Sequence, residues 1–237
     1  MSYFEIIGFH PGGWGPDLLK ATTMTILVSV SGFFFGFLFG VLGAAGKLSR
    51  FALLRAAGDT YSTVFRGLPN LLVIYLFYFG SSSVLSSVAA TFGGQGFVGA
   101  PAFLTGALAL GVVSGAYQTE VFRGAYLSLQ KGEIEASRAV GMSPFLAFRR
   151  IIMPQAFRFA IPGLANVWQS VLKQSALISV TGLVELMRQS QVAAGSTRKP
   201  FSFFITAGVL YLLITMVTDN AFRRAERHAM RGIRRAL

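Results

Sequence analysis

Five apolar blocks constrain this chain more than any other feature of its sequence. A helix that crosses a bilayer needs about 20 predominantly apolar residues. The blocks meet that length and cover about residues 21–43, 61–80, 102–122, 159–180 and 201–222. Only 13% of the 237 residues are charged, whereas soluble domains usually carry about 25%. The sequence therefore predicts an all-α integral membrane protein, with five transmembrane helices in a single domain over residues 1–237.

The basic residues between and after the blocks predict the orientation of the chain. Their positions are Lys47, Arg50, Arg55, Arg123, Lys131, Arg138, Arg149 and Arg150, followed by Arg223, Arg224, Arg227, Arg231, Arg234 and Arg235 in the tail. The connection at 81–100 has no charged residue, and only the one at 181–200 opposes the pattern. Because Lys and Arg accumulate in cytoplasmic loops, we expect the N-terminus outside and the C-terminus in the cytoplasm. The first residues lack the basic start of a cleavable signal peptide, so the first block is expected to remain as a span.

Several function classes are disfavoured by what the sequence lacks. The net charge of +12 follows the connections and forms no basic-aromatic platform, so no nucleic-acid binding is expected. The chain has no Cys and only two His, His10 and His228, near opposite ends, so neither a metal site nor a Cys nucleophile is expected. An intramembrane transferase would need clustered acid and base groups, but Glu120 and Asp219 are far apart in the sequence. A stand-alone secondary transporter would predict internal repeats, and none is evident.

The connection at about 128–154 is too polar to cross a membrane, yet it has a clear helical pattern. Helix formers from Glu133 to Val140 are followed by Gly141, which suits a helix C-terminus, and Ser143 then predicts the N-cap of a second short helix. Pro154 is expected to move Met153 out of helical geometry and bend the chain. Two interpretations stay open at this point: a surface that contacts another protein, or an amphipathic segment that binds anionic lipid.

The same connection resembles the signature of the membrane subunits of binding-protein-dependent ABC importers, which reads E-A-A, three residues, G, nine residues, I-x-L-P. The matching residues are Glu135, Ala136, Ser137, Gly141, Ile151, Met153 and Pro154. Ser137 replaces the second Ala of the pattern, and Met153 replaces its Leu. The stretches RGLPNLLVIYLFYFG at 66–80 and PQAFRFAIPGLANVWQSVLKQSAL at 154–177 resemble the histidine and opine permeases, and the resemblance extends from about Leu19 to Ala225.

This resemblance implies a type I ABC importer permease fold in the bacterial inner membrane. It also implies that 128–154 is a coupling segment that docks on an ATP-binding subunit, with Glu135 as the main polar contact and Gly141 at the corner. The implied partners are two ATP-binding subunits, a second permease subunit, either identical or related, and a periplasmic solute-binding protein. The sequence has no G-x-x-x-x-G-K-[ST] loop, so ATP and Mg²⁺ are expected on the partner ATPase, and the chain itself should be neither an enzyme nor bound to a cofactor.

Four residues are candidates for lining a translocation pathway. Asn166, Gln169 and Lys173 recur at three- and four-residue intervals, so they share one face of the fourth span, where hydrogen bonding between helices is the alternative role. Glu120 is the fourth candidate, and pairing with Arg123 is its alternative. Two structural pairs are also expected, Asp219 with Arg223 and Asp59 with Arg55. Histidine, arginine-like cations, glutamine and opines all remain candidate solutes.

Overall fold

The computed structural model describes residues 6–91 and 99–230. Within them the chain is helical, and we number nine α-helices in chain order. They are α1 (Gly15–Lys47), α2 (Ala52–Gly67), α3 (Asn70–Thr91), α4 (Ala102–Leu127), α5 (Lys131–Ala139), α6 (Pro144–Ala147), α7 (Met153–Gln174), α8 (Leu186–Thr197) and α9 (Pro200–Ala229). Two stretches named in the sequence analysis lie outside the described residues. They are 231–237, at the end of the basic tail, and 92–98, within the connection at 81–100.

Four helices, α1, α3, α4 and α9, are long and apolar enough to cross a membrane. A fifth crossing is present if two segments are counted together as one bent span. These are the helical stretch Pro144–Thr181 and helix α8, which meet at an angle of 53°. The bend follows a 3-10 helix, Ser175–Thr181, and lies at Gly182, whose φ of 86° is left-handed. The fourth predicted span, 159–180, therefore begins inside α7 and ends in the 3-10 helix.

The predicted second span, 61–80, crosses a break in the structure. Helix α2 ends at Gly67 and α3 begins at Asn70, so the apolar crossing is displaced toward the C-terminus. Pro69 causes the break, because a proline disfavours helical geometry in the residue before it, and Leu68 is extended with φ −84° and ψ 144°. Helix α2 itself is amphipathic and does not qualify as a span.

Helix α4 lies at the centre of the bundle. In its most apolar stretch 67% of the residues are buried, against 28% or less in the other three long helices. It packs most closely on α1, where glycines let the two backbones approach. A Cβ atom on Gly111 would lie 2.5 Å from Phe35 Cβ, and one on Gly32 would lie 2.7 Å from Leu110 Cβ. Small residues at such contacts are the usual means of close helix packing in membranes, where apolar side chains gain little by leaving lipid.

Candidate functional site

The connection between α4 and α7 folds into the predicted pair of short helices with a glycine corner. The N–H of Gly141 donates to the carbonyl of Arg138, and that of Met142 donates to the carbonyl of Ser137. This is the Schellman arrangement at a helix end, and it requires the left-handed φ of 76° that Gly141 adopts. Ser143 then caps α6, since its Oγ accepts a hydrogen bond from the N–H of Leu146 at 3.3 Å.

The predicted bend at Pro154 is wrong. Met153 keeps helical geometry, with φ −61° and ψ −47°, and the chain runs from α6 into α7 without leaving the helix. A π-helical turn at Phe148–Ile152 accommodates the proline, because the N–H of Met153 donates to the carbonyl of Phe148, five residues earlier. Pro154 is the second residue of α7 and directly follows this wider turn.

The outer surface of this corner is exposed and mixed in character. Glu135, Ala136 and Gly141 are exposed, whereas Ser137 is buried and its Oγ donates to the carbonyl of Ile134. Val140 and Phe145 are both 73% exposed, so a carboxylate lies among apolar side chains. A shallow groove of about 390 Å³ runs between α5 and the start of α7. Its lining residues are Glu133, Ala136, Ser137, Val140, Met142, Ile151 and Gln155.

Helix α7 has one buried apolar face and one exposed polar face. The buried face consists of Leu164, Val167, Trp168, Val171 and Leu172. Asn166 and Lys173 are exposed on the other face, and Ser170 lies between them with its Oγ donating to the carbonyl of Asn166. Gln169 is half-buried and donates from Nε2 to Asp219 Oδ1 on α9 at 3.4 Å. Asn166 and Lys173 are thus exposed on α7, whereas Gln169 makes a contact between helices, the alternative role given above.

Glu120 takes part in an ion-pair cluster that extends beyond its predicted partner. Its Oε2 accepts from Arg123 Nε at 2.9 Å, as the alternative role predicted, and its Oε1 contacts Lys47 Nζ at 2.5 Å and Arg66 Nη1 at 3.7 Å. Asp59, predicted to pair with Arg55, has Lys47 at 3.0 Å as its ion-pair partner in the described part of the chain. The predicted pair of Asp219 with Arg223 is present at 2.8 Å and is confirmed.

The sequence predicts no role for a second acidic residue, Glu185, yet the side chain of Glu185 is fully buried. It begins α8 as an N-cap, accepting from the N–H groups of Met187 and Arg188 at 2.9 and 2.7 Å. Tyr211 of α9 also donates its hydroxyl to this carboxylate at 3.1 Å. Nearby, the N–H of Leu186 donates to Thr25 Oγ1 of α1 at 3.0 Å, so the bend between α7 and α8 is fixed to two other helices. An acid directly before a helix start was the available sequence signal.

The described residues contain no group of three or more His, Cys, Asp or Glu side chains that could hold a metal ion. Outside the membrane helices, burial raises the pKa of Tyr61 on α2, whose hydroxyl donates to the carbonyl of Val112 at 2.7 Å. This neutral hydroxyl attaches α2 to α4.

Comparison with known proteins gives consistent matches. Residues 32–231 match the family described as binding-protein-dependent transport system inner membrane component. The chain is 63% identical over 237 residues to the octopine transport system permease protein OccQ of Rhizobium radiobacter, covering 100% of both chains. It is 50% identical over 230 residues to the nopaline transport system permease protein NocQ of Agrobacterium fabrum, covering 97% of this chain and 98% of that one. A crystal structure of an amino acid ABC transporter with histidines matches with a TM-score of 0.77 and 29% identity, over 91% of this chain and 95% of that chain.

The chain is a helical membrane bundle with an exposed glycine corner, and the matches cover its whole length. Together these features place it in the class of ABC importer permease subunits. The chain belongs to the family of binding-protein-dependent transport system inner membrane components. It is thus a membrane subunit of an importer, located in the inner membrane, and works with an ATPase and a binding protein. This membership favours the importer subunit over the intramembrane transferase and the stand-alone secondary transporter.

Proposed function

We propose that this chain, together with a second permease subunit, lines the translocation pathway for an opine-type amino-acid derivative. The observation that carries the proposal is the exposed polar face of α7, with Asn166, Ser170 and Lys173. A lysine at the centre of a bilayer costs about 2.5–3.5 kcal/mol even on the lower insertion scales. That face therefore belongs against water or another protein, and the other helices of this chain leave it uncovered.

A second permease subunit would provide a protein surface opposite this face and a water-filled channel between the two chains. Paired across this face, two chains would enclose a polar channel, and the apolar side of α7 already packs inside its own bundle. Lys173 supplies a cation to such a channel, and among the described residues it has no carboxylate within ion-pairing distance. It is thus available to a carboxylate of the solute. The hydrogen bond from Gln169 to Asp219 joins α7 to α9 and so fixes the direction in which the polar face of α7 points.

The similarity to named permeases supports an opine as the first solute to test. The 63% identity over the full length of both chains is with an octopine permease, and the identity falls to 50% for a nopaline permease. Histidine and arginine-like cations remain the comparison solutes. The stretch Lys173-Gln174-Ser175-Ala176-Leu177 has no Asp, so in this chain the positive end of a solute has no acidic partner there.

The glycine corner is the proposed contact with an ATPase subunit. Glu135 and Ala136 are exposed on α5, and Gly141 fixes the direction in which the two short helices leave the bundle. Exposed Val140 and Phe145 add apolar area that a docking groove can cover. In this arrangement the corner and the C-terminus face the cytoplasm, the binding protein docks on the opposite side, and two ATPase subunits hydrolyse ATP while this chain hydrolyses none.

The test is transport by the full complex in proteoliposomes. We would measure ATP-dependent uptake of labelled octopine, nopaline and histidine, each with the binding protein. Uptake of octopine should exceed that of histidine, and Lys173→Met should lower octopine uptake by about tenfold, which corresponds to about 1.4 kcal/mol. Lys20→Met is the matched control, because Lys20 is 82% exposed near the start of α1. Equal octopine uptake by Lys173→Met and Lys20→Met would contradict the proposed pathway face.

A further inference from the structure

The ion-pair cluster around Lys47 contains a lysine whose hydrogen-bonding capacity is completely used. The side chain of Lys47 is 11% exposed, and its ammonium contacts three oxygens: Glu120 Oε1 at 2.5 Å, Ser62 Oγ at 2.9 Å and Asp59 Oδ1 at 3.0 Å. An ammonium has three N–H donors, so each donor has an acceptor. The acceptors come from α2 and α4, whereas Lys47 is the last residue of α1. One side chain therefore joins three helices.

A second set of contacts holds α2 to α4. Arg66 Nη1 lies 3.7 Å from Glu120 Oε1, and the Arg66 guanidinium lies over the Tyr117 ring at 5.7 Å from its centre. Earlier in α2, the hydroxyl of Tyr61 donates to the carbonyl of Val112 at 2.7 Å. Such a group of fixed contacts has a defined geometry, unlike a single exposed ion pair, which contributes little.

The cluster lies between the end of α4, which leads to α5, and α2, which leads to α3. On one side, Glu120 and Arg123 belong to the last turns of α4, and α5 begins at Lys131, four residues after α4 ends at Leu127. On the other side, α2 ends at Gly67, directly before the Pro69 break and the membrane helix α3. Through the short connection at 128–130 a displacement of α5 reaches the end of α4, and the cluster joins that end to α2, which leads into α3.

We infer that Lys47 is a positioning residue for transport, because it holds α2 against the end of α4 so that movement of the α5 corner is transmitted to α3. This inference rests on the proposed function of the corner. Lys47 acts through Glu120 and Asp59. Without it α1 and α4 remain packed through their glycine contacts, whereas α2 keeps only the Arg66 and Tyr61 contacts with α4 and follows α4 less closely.

The first test compares Lys47→Met with Lys20→Met in the complete complex in proteoliposomes. Methionine keeps most of the length of the lysine side chain and removes its three donors. The number of solute molecules imported per ATP hydrolysed should fall by about tenfold in Lys47→Met and stay at the wild-type value in Lys20→Met. A merely structural role would lower the amount of complex and leave this ratio unchanged, and that result would overturn the inference.

If Lys47→Met fails to assemble, Asp59→Asn decides the question. Asp59 is 56% exposed on the side chain and supplies only one of the three acceptors, so this change is mild. We expect a fall of about threefold in the same ratio, within the usual range for coupling between neighbouring groups. An unchanged ratio in an assembled Asp59→Asn complex would overturn the inference.

A second measurement does not depend on the solute. Because the chain has no native Cys, spin labels can be placed at Thr63→Cys on α2 and Ser128→Cys after α4. In the wild-type background their distance should stay the same between the ATP-free and the ATP-trapped complex. In Lys47→Met it should change or broaden, and a distance that stays fixed contradicts the inference. If wild-type complexes import no opine while the labels behave as expected, the solute assignment fails and the role of Lys47 stands.

Discussion

Replacement of Gly115 by alanine tests the close packing of α1 on α4. A Cβ atom at Gly115 would lie 2.7 Å from Phe39 Cβ and 2.5 Å from the hydroxyl oxygen of Tyr61. Carbon atoms in contact are separated by about 3.5–4.0 Å, so the helices would have to move apart by about 1 Å. Phe39 Cβ is fixed by the backbone of α1 and cannot rotate away. Tyr61 can move, but only by losing its hydrogen bond to the carbonyl of Val112.

The expected cost follows from these contacts. Overpacking costs about 1–3 kcal/mol, and the lost Tyr61 hydrogen bond adds about 0.5–1.5 kcal/mol. The better helix propensity of alanine offsets about 0.5–1 kcal/mol of this sum. Gly124→Ala is the matched control, because it makes the same substitution on α4 at a position where a Cβ would meet nothing within 4 Å. The control should gain about 0.5–1 kcal/mol from the same helix propensity, so the free energies of unfolding of the two variants should differ by about 1.5–4.5 kcal/mol.

Thermal unfolding of the purified chain in detergent measures this difference. Trp168 is buried against α1, with its ring 5.5 Å from that of Phe33, so its fluorescence reports on the packed state. One kcal/mol corresponds to about 2–4 °C for a chain of this size, so the two melting temperatures should differ by at least about 3 °C. Gly115→Ala melting at the same temperature as Gly124→Ala, or higher, would refute the packing argument.

Two further predictions concern the corner and the bend between α7 and α8. Gly141→Ala places a side chain at φ 76°, which costs about 1–2 kcal/mol, so uptake and stimulated ATP hydrolysis should both fall. Gly132→Ala on α5 is the control and should match the wild type, because a Cβ atom there meets nothing within 4 Å. Glu185→Ala removes a fully buried carboxylate that accepts from two backbone N–H groups and from the Tyr211 hydroxyl, so it should destabilise the chain by about 2–4 kcal/mol in the same melting assay. Tyr211→Phe should cost only about 1 kcal/mol, and an equal loss in the two variants would show that Glu185 does not depend on its cap contacts.

The parts of the structure that depend on local chemistry could be predicted from the sequence. Gly141 and Ser143 set the corner through their own backbone geometry and their immediate neighbours, and both behave as predicted. The break at Pro69 had the same kind of local signal, but the apolar run on either side of it suggested one continuous span. The bend predicted at Pro154 is wrong because a π-helical turn, which follows from no single residue, accommodates the proline.

The parts that depend on distant residues could not be predicted. Lys47 and Glu120 are 73 residues apart, and no periodicity connects them. Glu185 lies in a charged connection, where hydropathy indicates exposure, but in the fold it is buried and contacts α8 and Tyr211 of α9. On α7, the spacing of Asn166, Gln169 and Lys173 predicts their common face, but the sequence alone cannot show that Gln169 contacts Asp219.

The most direct test of the account is the effect of Glu135→Arg on ATP hydrolysis by the reconstituted complex. Glu135 is exposed on α5, so the substitution should leave the melting temperature of the chain unchanged. Glu226→Arg makes the same charge change on α9, away from the corner, and is the control. If the corner contacts the ATPase through Glu135, hydrolysis stimulated by the binding protein and octopine should fall by about tenfold, or about 1.4 kcal/mol, in Glu135→Arg only. Stimulated hydrolysis at the wild-type rate in Glu135→Arg would contradict the proposal that this corner couples ATP hydrolysis to transport.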